Sequence, residues 1–127
     1  MNKKNKFLAI IFVLLGFSIL PSQSFCQDIS LGEKTFNECR ACHSLEANIN
    51  LIGPSLAGVV NRQIASLESY RYSKALKNSN GIWDNKTLNA FLENPQAAYP
   101  GNRMPYSGLS NPTDRKALIE YLTTFKP

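Results

Sequence analysis

Histidine is almost absent from this chain. Among 127 residues there is one, His43, with two methionines, Met1 and Met104, and three cysteines, Cys26, Cys39 and Cys42. A single imidazole excludes a Cys2His2 zinc site and any metal centre that draws two histidines from one molecule. No stretch alternates apolar and polar residues with a period of two, so nothing asks for a strand, and no internal repeat is present. Basic residues never form a run, which leaves no basis for nucleic-acid binding. The longest apolar run, Phe7 to Leu20, spans 14 residues and is broken only by Gly16 and Ser18. As a helix it reaches about 21 Å, against about 30 Å of hydrocarbon to cross. A retained membrane anchor is therefore the minor alternative.

The same run has a better reading. Lys3, Lys4 and Lys6 precede it, and Pro21-Ser22-Gln23-Ser24 ends it. That layout is a secretory signal peptide, with small residues placed for cleavage after residue 24 or after residue 26. Residues 1–26 are then the export signal and residues 27–127 one domain. The later cut removes Cys26, and bulky Phe25 argues against a lipoprotein made through that cysteine. Export implies the periplasm, an oxidising compartment in which Cys39 and Cys42 would not stay free thiols unaided. The exported part is enough for one small domain with a thin core. Without the three leading lysines it holds eleven basic and nine acidic residues, a net charge of +2 in place of the +5 of the full chain.

What is there concentrates in Cys39-Arg40-Ala41-Cys42-His43. This Cys-x-x-Cys-His run reads as a covalent haem attachment site. On a helical turn, positions i, i+3 and i+4 share one face. Two thiols can then reach two vinyl groups along one porphyrin edge while the imidazole turns under the iron. The open alternative is a redox-active or metal-binding pair of thiols with an incidental histidine.

Helix signals surround this stretch. Ser30-Leu31-Gly32-Glu33 has the pattern of a capping box and predicts a helix from about Leu31 to Cys42. Leu45 to Val60 reads as loop, with Gly53-Pro54 as a turn. Ser73 predicts a cap for a short helix over 74–77, and Asp84 a cap for a helix that stops near Asn94-Pro95, because a residue before proline resists helical geometry. Gln96 to Tyr99 adds a turn. Asn111-Pro112-Thr113-Asp114 opens a last helix with Leu118, Tyr121, Leu122 and Phe125 as its apolar stripe. The class is all-α, and such long loops in a small domain point to a bound group that organises them.

An iron held by His43 has a second face to fill, and no second histidine exists to fill it. Met104, in the irregular loop Pro100-Gly101-Asn102-Arg103-Met104-Pro105-Tyr106, is the remaining candidate. Histidine with methionine is the ligand set of electron-transferring cytochromes and raises the reduction potential. Two strong ligands leave no open position, which argues for electron transfer over catalysis.

On these motifs the chain resembles a class I monohaem cytochrome c, similar to mitochondrial cytochrome c and its bacterial periplasmic relatives, over nearly all of Asp28 to Phe125. Gly32-x-x-x-Phe36-x-x-Cys39-x-x-Cys42-His43, Gly53-Pro54-x-Leu56-x-Gly58-x-x-x-Arg62, Leu92-Glu93-Asn94-Pro95, Tyr99-Pro100-Gly101-x-x-Met104 and Leu118-Ile119-x-Tyr121-Leu122 fall in family order. The resemblance implies the cytochrome c fold, with short helices and long loops around one haem c tethered by Cys39 and Cys42. It implies that Pro54 offers its carbonyl to His43, that Arg62, Tyr72 and Trp83 contact haem propionates, and that Gly32 and Phe36 pack on Leu118 and Tyr121. Two departures stand out. Phe91 occupies the place of a tyrosine that gives its hydroxyl to the methionine sulfur, and Leu76 lies near the place of a polar residue of the buried water network. Lys34, Arg40, Lys74, Lys77, Lys86 and Arg103 are scattered along the chain, a thin basic collar for steering toward an acidic partner.

The function expected is a soluble periplasmic electron carrier, not an enzyme. It would take one electron from a quinol-oxidising complex or dehydrogenase and pass it to a terminal oxidase or peroxidase. Its partners are redox proteins met transiently, some of them membrane complexes, and the carrier itself is expected to be a monomer. The competing readings are an enzyme or sensor from which Met104 dissociates, and a haem-free dithiol or metal-binding protein.

Overall fold

The computed structural model describes residues 23–127. Residues 1–22, most of the expected export signal, lie outside the described residues. Five helices follow in chain order: α1 (Gln23–Phe36), α2 (Lys74–Lys77), α3 (Asn85–Glu93), α4 (Pro95–Ala98) and α5 (Pro112–Thr123). Among the described residues there is no strand, only an isolated antiparallel bridge between Gln63 and Ile82.

Most helix starts are set by side-chain caps that satisfy otherwise orphaned N–H groups. The Asp84 carboxylate accepts from the Thr87 N–H at 2.7 Å, and the Asn111 side chain from the Thr113 N–H at 2.9 Å. Ser73 caps α2 through the Leu76 N–H at 3.3 Å. Asn94 ends α3 and at once caps α4, accepting from the Ala97 N–H at 3.0 Å.

The first helix differs from its expectation at both ends. Ser30 lies inside α1 and is not its cap, because the residues before it continue the helix. The far end comes at Phe36, not Cys42. Beyond it the N–H groups of Asn37, Glu38 and Cys39 bond three residues back, to Lys34, Thr35 and Phe36. Such i→i+3 bonds tighten a last turn and let the chain leave the helix axis. Either expected cleavage point falls in the first turn of α1.

The contacts of α1 are with α5. A side chain at Gly32 would run into the Ala117 carbonyl and lie 2.5 Å from the Tyr121 Cβ. Only hydrogen at that position lets the two backbones cross so closely. One turn on, the Phe36 ring meets Tyr121 with centroids 5.9 Å apart, and Tyr121 in turn meets Phe125 at 4.9 Å. Leu118 and Leu122 carry the core from this crossing to Leu88, Phe91 and Leu92 of α3.

Arg115, on α5, is 5% exposed, and nothing in the sequence marks it as a core residue. Its guanidinium donates to the Asn89 side chain at 2.8 Å and to the carbonyls of Leu109 and Ser110 at 2.7 and 2.8 Å. Glu93 lies 3.3 Å away. One side chain thus ties α3, α5 and the chain that enters α5.

Two outcomes follow for stability. Gly32→Ala gains about 1 kcal/mol of helix propensity but must push α1 and α5 apart, an overpacking cost of about 1–3 kcal/mol or more against backbone atoms. A net loss in chemical denaturation of the haem-loaded protein is expected. Arg115→Met strands the buried Leu109 carbonyl and removes the bonds to Asn89 and Ser110, and should cost about 1–3 kcal/mol; an unchanged denaturation midpoint would contradict this.

Candidate functional site

The Cys39–His43 segment, although outside α1, forms a turn of its own. The N–H groups of Cys42 and His43 both reach the Cys39 carbonyl, each at 3.0 Å. These are the i→i+3 and i→i+4 bonds of a helical turn, so the spacing argument holds locally. Both cysteines are half-buried and not joined to each other, and with His43 they line an apolar cleft of about 210 Å³. Burial, then the neighbouring Glu38 and Cys42, pushes the Cys39 thiol up to about 11.

His43 is held by two adjacent residues. Its Nδ1 lies 2.7 Å from the Pro54 carbonyl oxygen. A carbonyl can only accept, so Nδ1 carries the hydrogen and Nε2 is left with the lone pair. Burial holds the imidazole below its usual value; the Pro54 bond opposes that shift and nearby Arg62 reinforces it. At Gly53 a side chain would strike the imidazole ring itself. The Gly53 N–H bonds the Cys42 carbonyl at 2.7 Å, which closes the loop back onto the attachment turn.

Arg62, Tyr72 and Trp83 line the same cleft. Reciprocal backbone bonds, Asn61 N–H to Trp83 at 2.9 Å and Trp83 N–H to Arg62 at 2.8 Å, set Arg62 and Trp83 side by side. Arg62 donates to the carbonyls of Ala57 and Ser55, both at 3.0 Å. Its Nε is buried with no hydrogen-bond partner among the described residues. An unpaired cationic donor in such a place suits an anionic group from outside the chain.

Met104 reaches the cleft on a strap. The Asn102 N–H bonds the Tyr99 carbonyl at 3.0 Å across Pro100-Gly101, and Gly101 has φ of +85°. That is the pattern of a type II turn, in which the third residue favours glycine. Asn102 is 6% exposed and was not among the expected site residues. Its side chain donates to the Pro95 and Tyr99 carbonyls at 2.7 and 3.0 Å and accepts from the Met104 N–H at 2.9 Å. A signal existed: asparagine readily accepts from an N–H two residues on and is a turn former next to Pro-Gly. Farther along, the Tyr106 hydroxyl donates to the Glu38 carboxylate at 2.9 Å, and burial followed by that bond pushes its ionisation up. Phe91 sits in an aromatic cluster, with ring centroids 4.9 Å from Trp83 and 5.9 Å from Tyr99. Leu76 also lines the cleft.

The structure therefore brings together every site residue expected from the sequence: Cys39, Cys42, His43, Pro54, Arg62, Tyr72, Trp83 and Met104 all border one cleft. The donor set fits a haem: two thiols for thioethers, an apolar lining for the ring, and a buried unpaired guanidinium nitrogen for a carboxylate arm.

Comparison with known proteins agrees. The cytochrome c family model matches residues 29–126. The chain is 46% identical over 91 residues to cytochrome c2 iso-2 of Magnetospirillum molischianum, covering 72% of this chain and 94% of that protein. It is 42% identical over 94 residues to cytochrome c2 of Rhodoplanes tepidamans, covering 73% and 96%. Among solved structures it is similar to cytochrome cH from Methylobacterium extorquens, with a TM-score of 0.73 and 38% identity over 76% of this chain and 98% of that one. The chain belongs to the class I cytochromes c, close to bacterial cytochrome c2: an electron-transfer protein, not an enzyme, with haem c attached through Cys39 and Cys42.

Proposed function

We propose that this protein is exported, loses its export signal by cleavage after residue 24 or residue 26, and works in the periplasm as a soluble monomeric carrier with His43 and Met104 as the two iron ligands. It passes one electron at a time from a quinol-oxidising complex or dehydrogenase to a terminal oxidase or peroxidase. One observation carries the reading. The chain's only histidine and the only methionine among the described residues line the same apolar cleft as the two attachment thiols.

The haem, when bound, supplies a one-electron iron couple. Everything else is the work of side chains. The Pro54 carbonyl keeps the His43 hydrogen on Nδ1, which leaves Nε2 free to bind metal and makes it a better donor. The Met104 thioether, a soft ligand, favours the ferrous state. Arg62, with Tyr72 and Trp83 beside it, would hold the propionates; its unpaired Nε is the donor that a carboxylate would complete. Leu76, Leu88, Phe91, Leu92 and Leu118 line the cleft with hydrocarbon and keep water from it. Low local polarity limits the reorganisation that accompanies a change of charge.

One part of the cleft rim offers an uncharged patch for docking. Ile49, Leu51 and Ile52 are 46%, 50% and 72% exposed, and Ile52 borders the cleft. Between Leu45 and Leu56 the only charged residue is Glu46. Three exposed aliphatic side chains fall well short of the roughly 800 Å² per partner of a stable complex, which suits brief encounters.

The ligand pair is tested by absorbance of the oxidised and reduced protein. A far-red charge-transfer band should appear in oxidised wild type and vanish in Met104→Ala, whose reduced form should bind carbon monoxide. A band absent from both would remove the reading. Phe91→Tyr is expected to raise the midpoint potential, because a hydroxyl donated to the Met104 sulfur withdraws electron density and favours ferrous iron; a potentiometric titration that moves downward or not at all contradicts it.

A further inference from the structure

The strap that carries Met104 is held very unevenly. On its N-terminal side, Asn102 makes three side-chain bonds, and Gln96 donates to the Asn102 carbonyl at 3.2 Å. On the C-terminal side the next backbone bond is that of Leu109 to the Leu92 carbonyl at 2.7 Å. Between them, from Pro105 to Gly108, one hydrogen bond alone is present among the described residues: the Tyr106 hydroxyl to Glu38, at 2.9 Å. Pro105 has no N–H to offer. Glu38 immediately precedes Cys39, so this bond spans the cleft from the methionine strap to the attachment turn. Tyr106 and Glu38 both border the cleft.

We infer that Tyr106 and Glu38 are positioning residues for Met104, and that their hydrogen bond is the latch that keeps the strap closed against small ligands from solution. The inference rests on the reading of Met104 as an axial ligand. With the latch made, the strap is fixed on both sides of Met104 and the sulfur stays in place. With it broken, Pro105 to Gly108 keep packing contacts, the Gly108 backbone against Glu93 and the Tyr106 ring against the core, but no hydrogen bond, and the sulfur yields more readily to a competitor. Glu38 is exposed, so water competes for its carboxylate and the latch is worth a modest factor. Arg103, whose guanidinium donates to the Arg71 carbonyl, restrains only the side of the strap that Asn102 already holds.

The test is a titration of the oxidised, haem-loaded full-length protein with imidazole, followed by loss of the far-red band. Tyr106→Phe keeps the ring and removes only the hydroxyl. It should tighten imidazole binding by roughly three- to tenfold, the usual worth of one hydrogen bond. Glu38→Ala should do the same, and the double variant no more than either alone. Glu38→Gln retains an acceptor and should stay near wild type, a rescue that a general loss of stability would not give. If the two single changes add, or if neither alters imidazole affinity while the band is present, the latch is overturned. A wild type without the band overturns the ligand reading, and the latch with it. Because Glu38 is exposed, its variants keep the test open should Tyr106→Phe fail to fold.

Discussion

The bond from the His43 ring to the Pro54 carbonyl joins two stretches that have little else in common. One is a tight turn with two thiols; the other is a loop with no regular structure. The bond settles which imidazole nitrogen is free, and it can form only because Gly53 has no side chain to meet the ring. Once it forms, Pro54 leads into Ser55 and Ala57, whose carbonyls receive Arg62. The orientation of the lone histidine and the placing of the cationic donor are thus set along one short run of chain. The other side of the cleft works differently. There Met104 is placed by side chains reaching back to carbonyls, with Asn102 doing most of the holding.

How much of this was legible in the sequence varied with the range of the interaction. Ser73, Asp84 and Asn111 were readable as caps because a cap and its target lie within three residues. The Cys39–His43 turn was readable for the same reason, and the lone histidine made Met104 the one candidate for a partner. The start of α1 was misread because the spacing of Ser30 and Glu33 says nothing of whether the residues before them continue a helix. Arg115 could not be found at all. A buried arginine is tolerable only if its partners converge, and its partners come from α3 and from the chain entering α5. Tyr106 and Glu38 were invisible for the same reason, since their meeting depends on the whole fold between them. Asn102 lies between these cases, marked by its place after Pro-Gly but hidden in its burial.

The two sides of the cleft also differ in how they answer change. On the histidine side the partner that fixes the His43 ring is a backbone carbonyl, which few substitutions can remove. On the methionine side they are side-chain groups, each removable by a single replacement. Variation in redox behaviour among chains of this design should therefore arise mainly on the methionine side. Phe91 and Leu76, which line the same cleft as Met104, are the positions to watch.

The close crossing at Gly32 has a consequence for the integrity of the chain. Residues at opposite ends of the domain meet there, so α5 closes nearly all of the intervening sequence into one loop. Such closure costs roughly 4 kcal/mol of chain entropy for a loop of about 85 residues. It is repaid only when α5 is present to bury Phe36 and Leu118 together. A truncation that removes the last helix therefore does more than shorten the protein. It opens the ring of chain that surrounds the redox centre, and a premature stop near the C-terminus should be as damaging as the loss of an attachment cysteine.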